Sequence, residues 1–315
     1  MKRLLPVLVL IAVAISGCTE KGPDTAVKSI DELKNLSVSS AENLTSFSVK
    51  SSMTQVLKLH SGANATEGNI TTVTESAETT ASVNLTTLQA HAEGSTKNEA
   101  ESGGKVLSSI STKADVYQMG NVTLVNDESG NWTRLEDPRS ADEVWGQDKN
   151  NQIKTMAETL HLAETEDLGS EAVDGEDAYK ISIVAGSDEF LNLYNSAFTV
   201  AAKITQYPMY LPSINKTELN ETAKMEKTIW ISKKSGLPVR YKSLMSFTMT
   251  PEIIGALNTE TRQMVMLNQS VRLGKIEVSI ESTDDYLGFD APLEIMPPAE
   301  ALSAPAFSPA QVQSD

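Results

Sequence analysis

The sequence predicts an α+β domain dominated by one large antiparallel sheet, and three observations carry that reading. Apolar residues recur at every second position in one run after another, and Gly- and Asn-containing turn signals separate the runs. Three other stretches repeat at helical spacing instead. No fixed-period repeat and no long linker divides the 315 residues, so the segments belong to one core. The chain divides into an amino-terminal signal (1–17), a short tether (18–24), a single domain (25–295) and a tail (296–315).

Val27, Ile30, Leu33 and Leu36 predict a helix over 25–44, with Asp24-Thr25 as its cap. The period then falls to two. Phe47, Val49, Met53, Leu57 and Leu59 share one parity, and Ser46, Ser48, Lys50, Ser52, Thr54 and Lys58 share the other. That alternation describes a strand with one wet face. Residues 61–69 are turn-like. Residues 71–92 are rich in Thr and Val and give one or two long strands, with Ala81, Val83 and Leu85 on one side. Residues 93–104 carry Gly94, Gly103 and Gly104 among charges and read as a loop. Val106, Ile110, Ala114 and Val116 mark a strand ending at Tyr117. Gly120-Asn121 turns the chain into Val122 and Leu124, and Ser129-Gly130-Asn131 turns it into Trp132.

From Ala141 the period is helical again, with Trp145, Ile153, Met156, Leu160 and Ala163 on one face. The acidic stretch from Glu164 to Asp177 reads as a solvated loop and helix end. Asp174-Gly175 is a hairpin signal leading into Tyr179, Ile181 and Ile183. Ser187 or Asp188 caps a third helix to Ile204, along which Phe190, Tyr194 and Phe198 stack. Residues 224–231 form a strand containing Trp230, followed by the turn Lys233-Lys234-Ser235-Gly236. Val239, Tyr241, Met245, Phe247 and Met249 give the clearest period-two face of the chain. Residues 261–283 predict two further strands, and a parity shift between Leu273 and Ile276 places a bulge or turn near Gly274. The Pro-, Ala- and Ser-rich tail is predicted to be disordered.

The first eighteen residues give an address. Lys2 and Arg3 precede an apolar run from Leu4 to Ile15, too short to span a bilayer comfortably, and Ser16-Gly17-Cys18 closes it. This ending resembles the lipobox of prokaryotic lipoproteins. The resemblance implies cleavage before Cys18 and lipid modification of that residue, hence a membrane partner reached through an anchor. Cys18 is the sole cysteine, so no internal disulfide forms. The formal net charge is -16, and loss of Lys2 and Arg3 takes it to -18, with 24 basic against 42 acidic side chains. That balance excludes nucleic acid as a partner and a polybasic grip on anionic lipid. Ten of the seventeen asparagines open an Asn-x-Ser/Thr sequon: Asn35, Asn43, Asn64, Asn69, Asn84, Asn121, Asn131, Asn215, Asn220 and Asn268. Such sites accept glycans on an exported surface. Lipobox, acidity and sequons together point to an archaeal cell-surface lipoprotein on the extracytoplasmic face of the membrane.

The order of elements and one local motif suggest a family. Thr228-Ile229-Trp230-Ile231-Ser232, a charged turn, and Gly236-Leu237-Pro238-Val239-Arg240-Tyr241 resemble the LolA/LppX-type lipoprotein carrier and sorting fold. The resemblance implies an unclosed, strongly curved antiparallel half-barrel with helices on its concave face. It also implies a cleft for an acyl chain or other hydrophobic ligand. The candidate lining is Met245, Phe247 and Met249 from the strand and Phe190, Tyr194 and Phe198 from the helix. Met is flexible enough to fit an irregular apolar ligand. The same six residues equally describe a packed core.

The motifs of catalysis are not found. His60, His91 and His161 are scattered without metal-ligand spacing, and there is no Gly-x-Ser-x-Gly elbow or phosphate loop. Thr283-Asp284-Asp285 lacks the alternation of a calcium loop and reads as a strand end. No cofactor or metal is expected. The sequence therefore predicts a non-enzymatic surface lipoprotein that binds or shuttles a hydrophobic ligand. The alternatives are an envelope scaffold with a fully packed core, or an accessory subunit that presents a ligand to a transporter.

Overall fold

The computed structural model describes residues 28–61, 70–126, 129–146, 151–184, 223–249 and 273–306. Its strands are β1 (Ser46–Ser61), β2 (Ile70–Asn84), β3 (Gln89–Ser102), β4 (Lys105–Met119), β5 (Val122–Asn126) and β6 (Trp132–Glu136). They continue with β7 (Thr165–Val173), β8 (Glu176–Ile183), β9 (Lys224–Ser232), β10 (Pro238–Met249) and β11 (Leu273–Leu287). All eleven form one antiparallel sheet in the order β6-β5-β4-β3-β2-β1-β11-β10-β9-β8-β7. The sheet is an unclosed half-barrel whose edge strands are β6 and β7. Two meanders, β1–β6 and β7–β11, join where β1 pairs with β11 along almost its whole length.

The hairpins follow from their turn residues. Asp174 and Gly175 both adopt positive φ (50° and 86°), as do Gly103 and Gly104 (55° and 73°). Consecutive left-handed residues give a turn whose twist matches that of the flanking strands. At the β9–β10 turn the buried Ser232 hydroxyl accepts the backbone N–H groups of Lys234 (3.1 Å) and Ser235 (3.0 Å).

Helix α1 (Ile30–Glu42) starts with a capping box: the Ser29 hydroxyl accepts Glu32 N–H, and the Glu32 carboxylate accepts Ser29 N–H at 2.8 Å. Ser29, rather than Asp24-Thr25, is therefore the cap. Helix α2 (Ala141–Trp145) has the same device at Ser140 and Glu143, and α3 (Gln152–Leu162) is capped by Asn151. Where one helical face runs through the sequence from Ala141, the structure has two helices that bury Trp145 and then Ile153, Ala157 and Leu160.

These helices lie on one face of the sheet, the inner face. Ala41, Leu44, Trp145, Ile153 and Ala157 pack with Phe47, Val49, Val83 and Tyr286. Leu33 and Leu160 pack with Tyr179, Ile181, Ile229 and Ile231. Both clusters occupy the same end of the sheet, near the starts of β1 and β10. Burying each of the Leu, Ile, Val and Phe side chains among them contributes about 1.5–3 kcal/mol.

Four expectations change. Residues 93–102 continue β3 rather than forming a loop. Gly94 sits within that strand because a Cβ there would lie 2.9 Å from Thr79 Oγ1. The acidic stretch is β7 and its hairpin, an exposed edge strand whose charges keep it from pairing further. Residues 273–287 form one strand, with Asp284 and Asp285 inside it; the bulge falls where Ser61 pairs with Leu273 and His60 with Lys275, around Gly274. Residues 299–302 of the expected disordered tail form α4 (Ala299–Leu302), which buries Ala301, and Ala306 bridges to Arg134 of β6. A small side chain there permits close docking on β5 and β6. The signal and tether, the helix over 187–204, residues 261–272 and the end of the tail lie outside the described residues.

Candidate ligand-binding face

Directly paired residues of neighbouring strands point to the same face, so register alone maps the inner surface. One row across the sheet reads Phe247, Val278, Leu57, Val73 and Ala100. The next reads Met245, Ile280, Gln55, Glu75 and Asn98. Leu57, Met245 and Phe247 are only 1–2% exposed, and Val73, Ala100, Val278 and Ile280 are also buried. This apolar field lies at the end of the sheet opposite the helix-packed clusters.

A polar belt separates the two ends. One row holds Lys227, Ser243, Ser282, Met53, Ala77 and Thr96; the adjoining one holds Tyr241, Asp284, Ser51, Thr79 and Gly94. Lys227 is buried in the belt; at its border with the apolar field Gln55 is buried, and the side-chain oxygen of Asn98 is buried without a hydrogen-bond partner among the described residues. Burial pushes the Asp284 carboxyl up, with the Ser51 hydrogen bond acting in the opposite direction and the Asp285 charge adding to the rise. Burial likewise raises the Tyr286 phenol, with Asp284 and Tyr241 adding to it. The inner face is thus amphiphilic along the strands: apolar, polar, then apolar where the helices sit.

Met245 and Phe247 stand together in the apolar field, and Met249 continues β10 opposite Ile276. Phe190, Tyr194, Phe198 and Cys18 lie outside the described residues, as do Asn64, Asn69, Asn215, Asn220 and Asn268. Asn35 is exposed on α1, and Asn131 is exposed between β5 and β6. Asn43 caps the end of α1 and donates to Ser39 O. Asn84 donates from Nδ2 to Leu293 O (2.9 Å) and accepts the N–H groups of Thr86 and Thr87. Asn121 donates to the carbonyls of Asp137 and Arg139.

The outer face carries a groove of about 750 Å³, lined among others by Lys50, Glu93, Lys113, Asp115, Asn126 and Asp285. Beside it His91 Nε2 lies 2.9 Å from Asp115 Oδ1 and 3.7 Å from Glu93 Oε1. Sequence spacing hides this group because Asp115 comes from the neighbouring strand; the legible part is His91-x-Glu93, which a strand places on one face. Farther along that face Arg240 pairs with Asp285. Lys180 reaches Glu171 at 2.8 Å and lies over the Trp230 ring at 5.2 Å.

No protein-family model matches the chain, and no curated protein matches it. Solved structures of similar fold include the lipoprotein LppX of Mycobacterium tuberculosis, at 11% identity, 85% of this chain, 98% of that one and a TM-score of 0.36. LprF of Mycobacterium bovis matches at 11% identity, 86% and 97% coverage and a TM-score of 0.38. An outer-membrane lipoprotein-sorting protein domain of Vibrio parahaemolyticus matches at 11% identity, 84% and 93% coverage and a TM-score of 0.18. Among the described residues no helix is long and apolar enough to cross a membrane.

Proposed function

We propose that the protein is a non-enzymatic surface lipoprotein, anchored through Cys18, that holds a hydrophobic ligand against the inner face of its sheet. The observation that supports this most is the apolar field of Leu57, Val73, Met245, Phe247, Val278 and Ile280. It is set apart by a polar belt from the clusters that α1, α2 and α3 bury. A single folding core has no need of two apolar ends with the buried Lys227 and the half-buried Asp284 between them. An amphiphile does: its tail matches the field and its polar group matches the belt. Exposed sequons such as Asn35 and Asn131 would carry glycans.

The burial of Met245 and Phe247 favours a second reading, an envelope scaffold whose interior is fully packed. One experiment separates the two. The mature chain carrying Cys18→Ser is purified and examined by native mass spectrometry, then by organic extraction. The carrier reading expects a stoichiometric bound lipid that Phe247→Glu abolishes while the circular dichroism spectrum is kept. Chain that is free of lipid and refuses a fluorescent fatty acid would instead make this interior a scaffold's core.

A further inference from the structure

The outer face holds a set of donors that neither the fold nor the proposed cargo requires. His91 and Glu93 stand two apart on β3, on one face. Tyr117 and Asp115 are their direct partners on β4, and Asn126 of β5 is the direct partner of Asp115. The His91 ring stacks on Tyr117 with centroids 4.0 Å apart and planes 12° apart, so its orientation is fixed by packing. One donor atom each from His91, Glu93 and Asp115 falls within 4.8 Å of the others. The side-chain oxygen of Asn126 is buried and has no hydrogen-bond partner among the described residues. A buried acceptor without a donor is uncommon and calls for an explanation, an ion among them.

We propose that His91, Glu93 and Asp115 bind a divalent first-row cation of the Zn²⁺ class, with Asn126 next to Asp115 on the neighbouring strand. An ion bound at about 2.0–2.1 Å in a tetrahedral site sets neighbouring donors about 3.4 Å apart. The observed 2.9 Å and 3.7 Å separations lie on either side of that value. One imidazole with carboxylates is a donor set for zinc, manganese or cobalt rather than for calcium, which takes oxygen alone. Three protein donors leave a coordination position open, and Glu93 and Asp115 line the same groove as Lys50 and Lys113, which offer positive charge to an anionic fourth ligand. The ion would also tie β3 to β4.

The test titrates the mature, folded chain with Zn²⁺ by calorimetry and with Co²⁺ by visible absorption. His91→Gln, Glu93→Gln and Asp115→Asn are compared one at a time. Glu93→Gln and Asp115→Asn keep the shape of the side chains, and far-ultraviolet circular dichroism without metal checks that each variant remains folded. The expected result is one equivalent bound by the native chain, weakened at least tenfold by each substitution. Thermal stability should rise with Zn²⁺ in the native chain alone. Binding of equal strength in the native chain and all three variants would trace to scattered surface carboxylates and overturn the assignment. Absence of binding in the native chain would do the same.

Discussion

Gly236 occupies a position closed to any side chain. Its φ is +73°, and a Cβ built there would lie 2.5 Å from Leu36 Cγ and 3.0 Å from Ser40 Oγ. The Ser40 hydroxyl meanwhile donates to Ser235 O at 2.8 Å, so α1 and the β9–β10 turn are joined through this close approach. Gly236→Ala should cost about 1–3 kcal/mol through backbone strain alone, and more from displacing α1; urea unfolding measures it. Asp284 makes a second prediction. Its folded pKa lies above the unfolded one, so between the two values the folded chain binds more protons. The stability associated with the neutral carboxyl is complete below the unfolded value of about 4 and is lost as pH rises through the folded value. Asp284→Asn should therefore raise the melting temperature at pH 7 and have no such effect at pH 3. A gain of equal size at both pH values would mean that ionisation is not the cause.

Among the elements, legibility in the sequence followed how wet the opposite face is. β1 and β10 were readable because a buried apolar row alternates with Lys50, Ser52, Thr54 or with Arg240, Lys242, Thr248. β3 was not, because from Glu93 to Glu99 both faces are polar: the inner one contributes to the belt and the outer one to the groove. Its glycine looked like a turn, whereas Gly94 lies within the strand where Thr79 leaves no room for a Cβ. The helices were legible from their apolar stripes, but the exact cap at Ser29 was decided by the partner Glu32. α4 was hidden in a composition typical of disorder, since its docking depends on Ala301 fitting a surface made elsewhere. Met245 and Phe247 were readable as inward-facing. The polar belt was not, because it exists only across strands, in residues as far apart in sequence as Ser51 and Asp284.

For the whole molecule, the sheet order makes β1 and β11 central and β6 and β7 peripheral. Proline tolerance should follow that order rather than sequence position. Thr54 pairs on both sides, with Ser76 of β2 and with Glu281 of β11. Thr54→Pro should cost about 3 kcal/mol or more. Leu168 lies at a register shift of the edge strand β7, is 45% exposed, and Leu168→Pro should leave the melting temperature nearly unchanged. A thermal scan of the two variants checks the topology without any ligand.

The central pairing of β1 with β11 also dictates when the fold becomes available to the cell. A chain that emerges from its amino end completes β1 early, yet the partner for one whole side of it is made more than two hundred residues later. Until then the first meander has an open backbone edge in what becomes the middle of the sheet, the most adhesive place for it to be unfinished. Contacts of that sequence separation form slowly. Maturation should thus be a late, all-at-once event, waiting on the last strand, and a chain cut short before Leu273 should be captured by holding factors or proteases rather than persist as a smaller sheet.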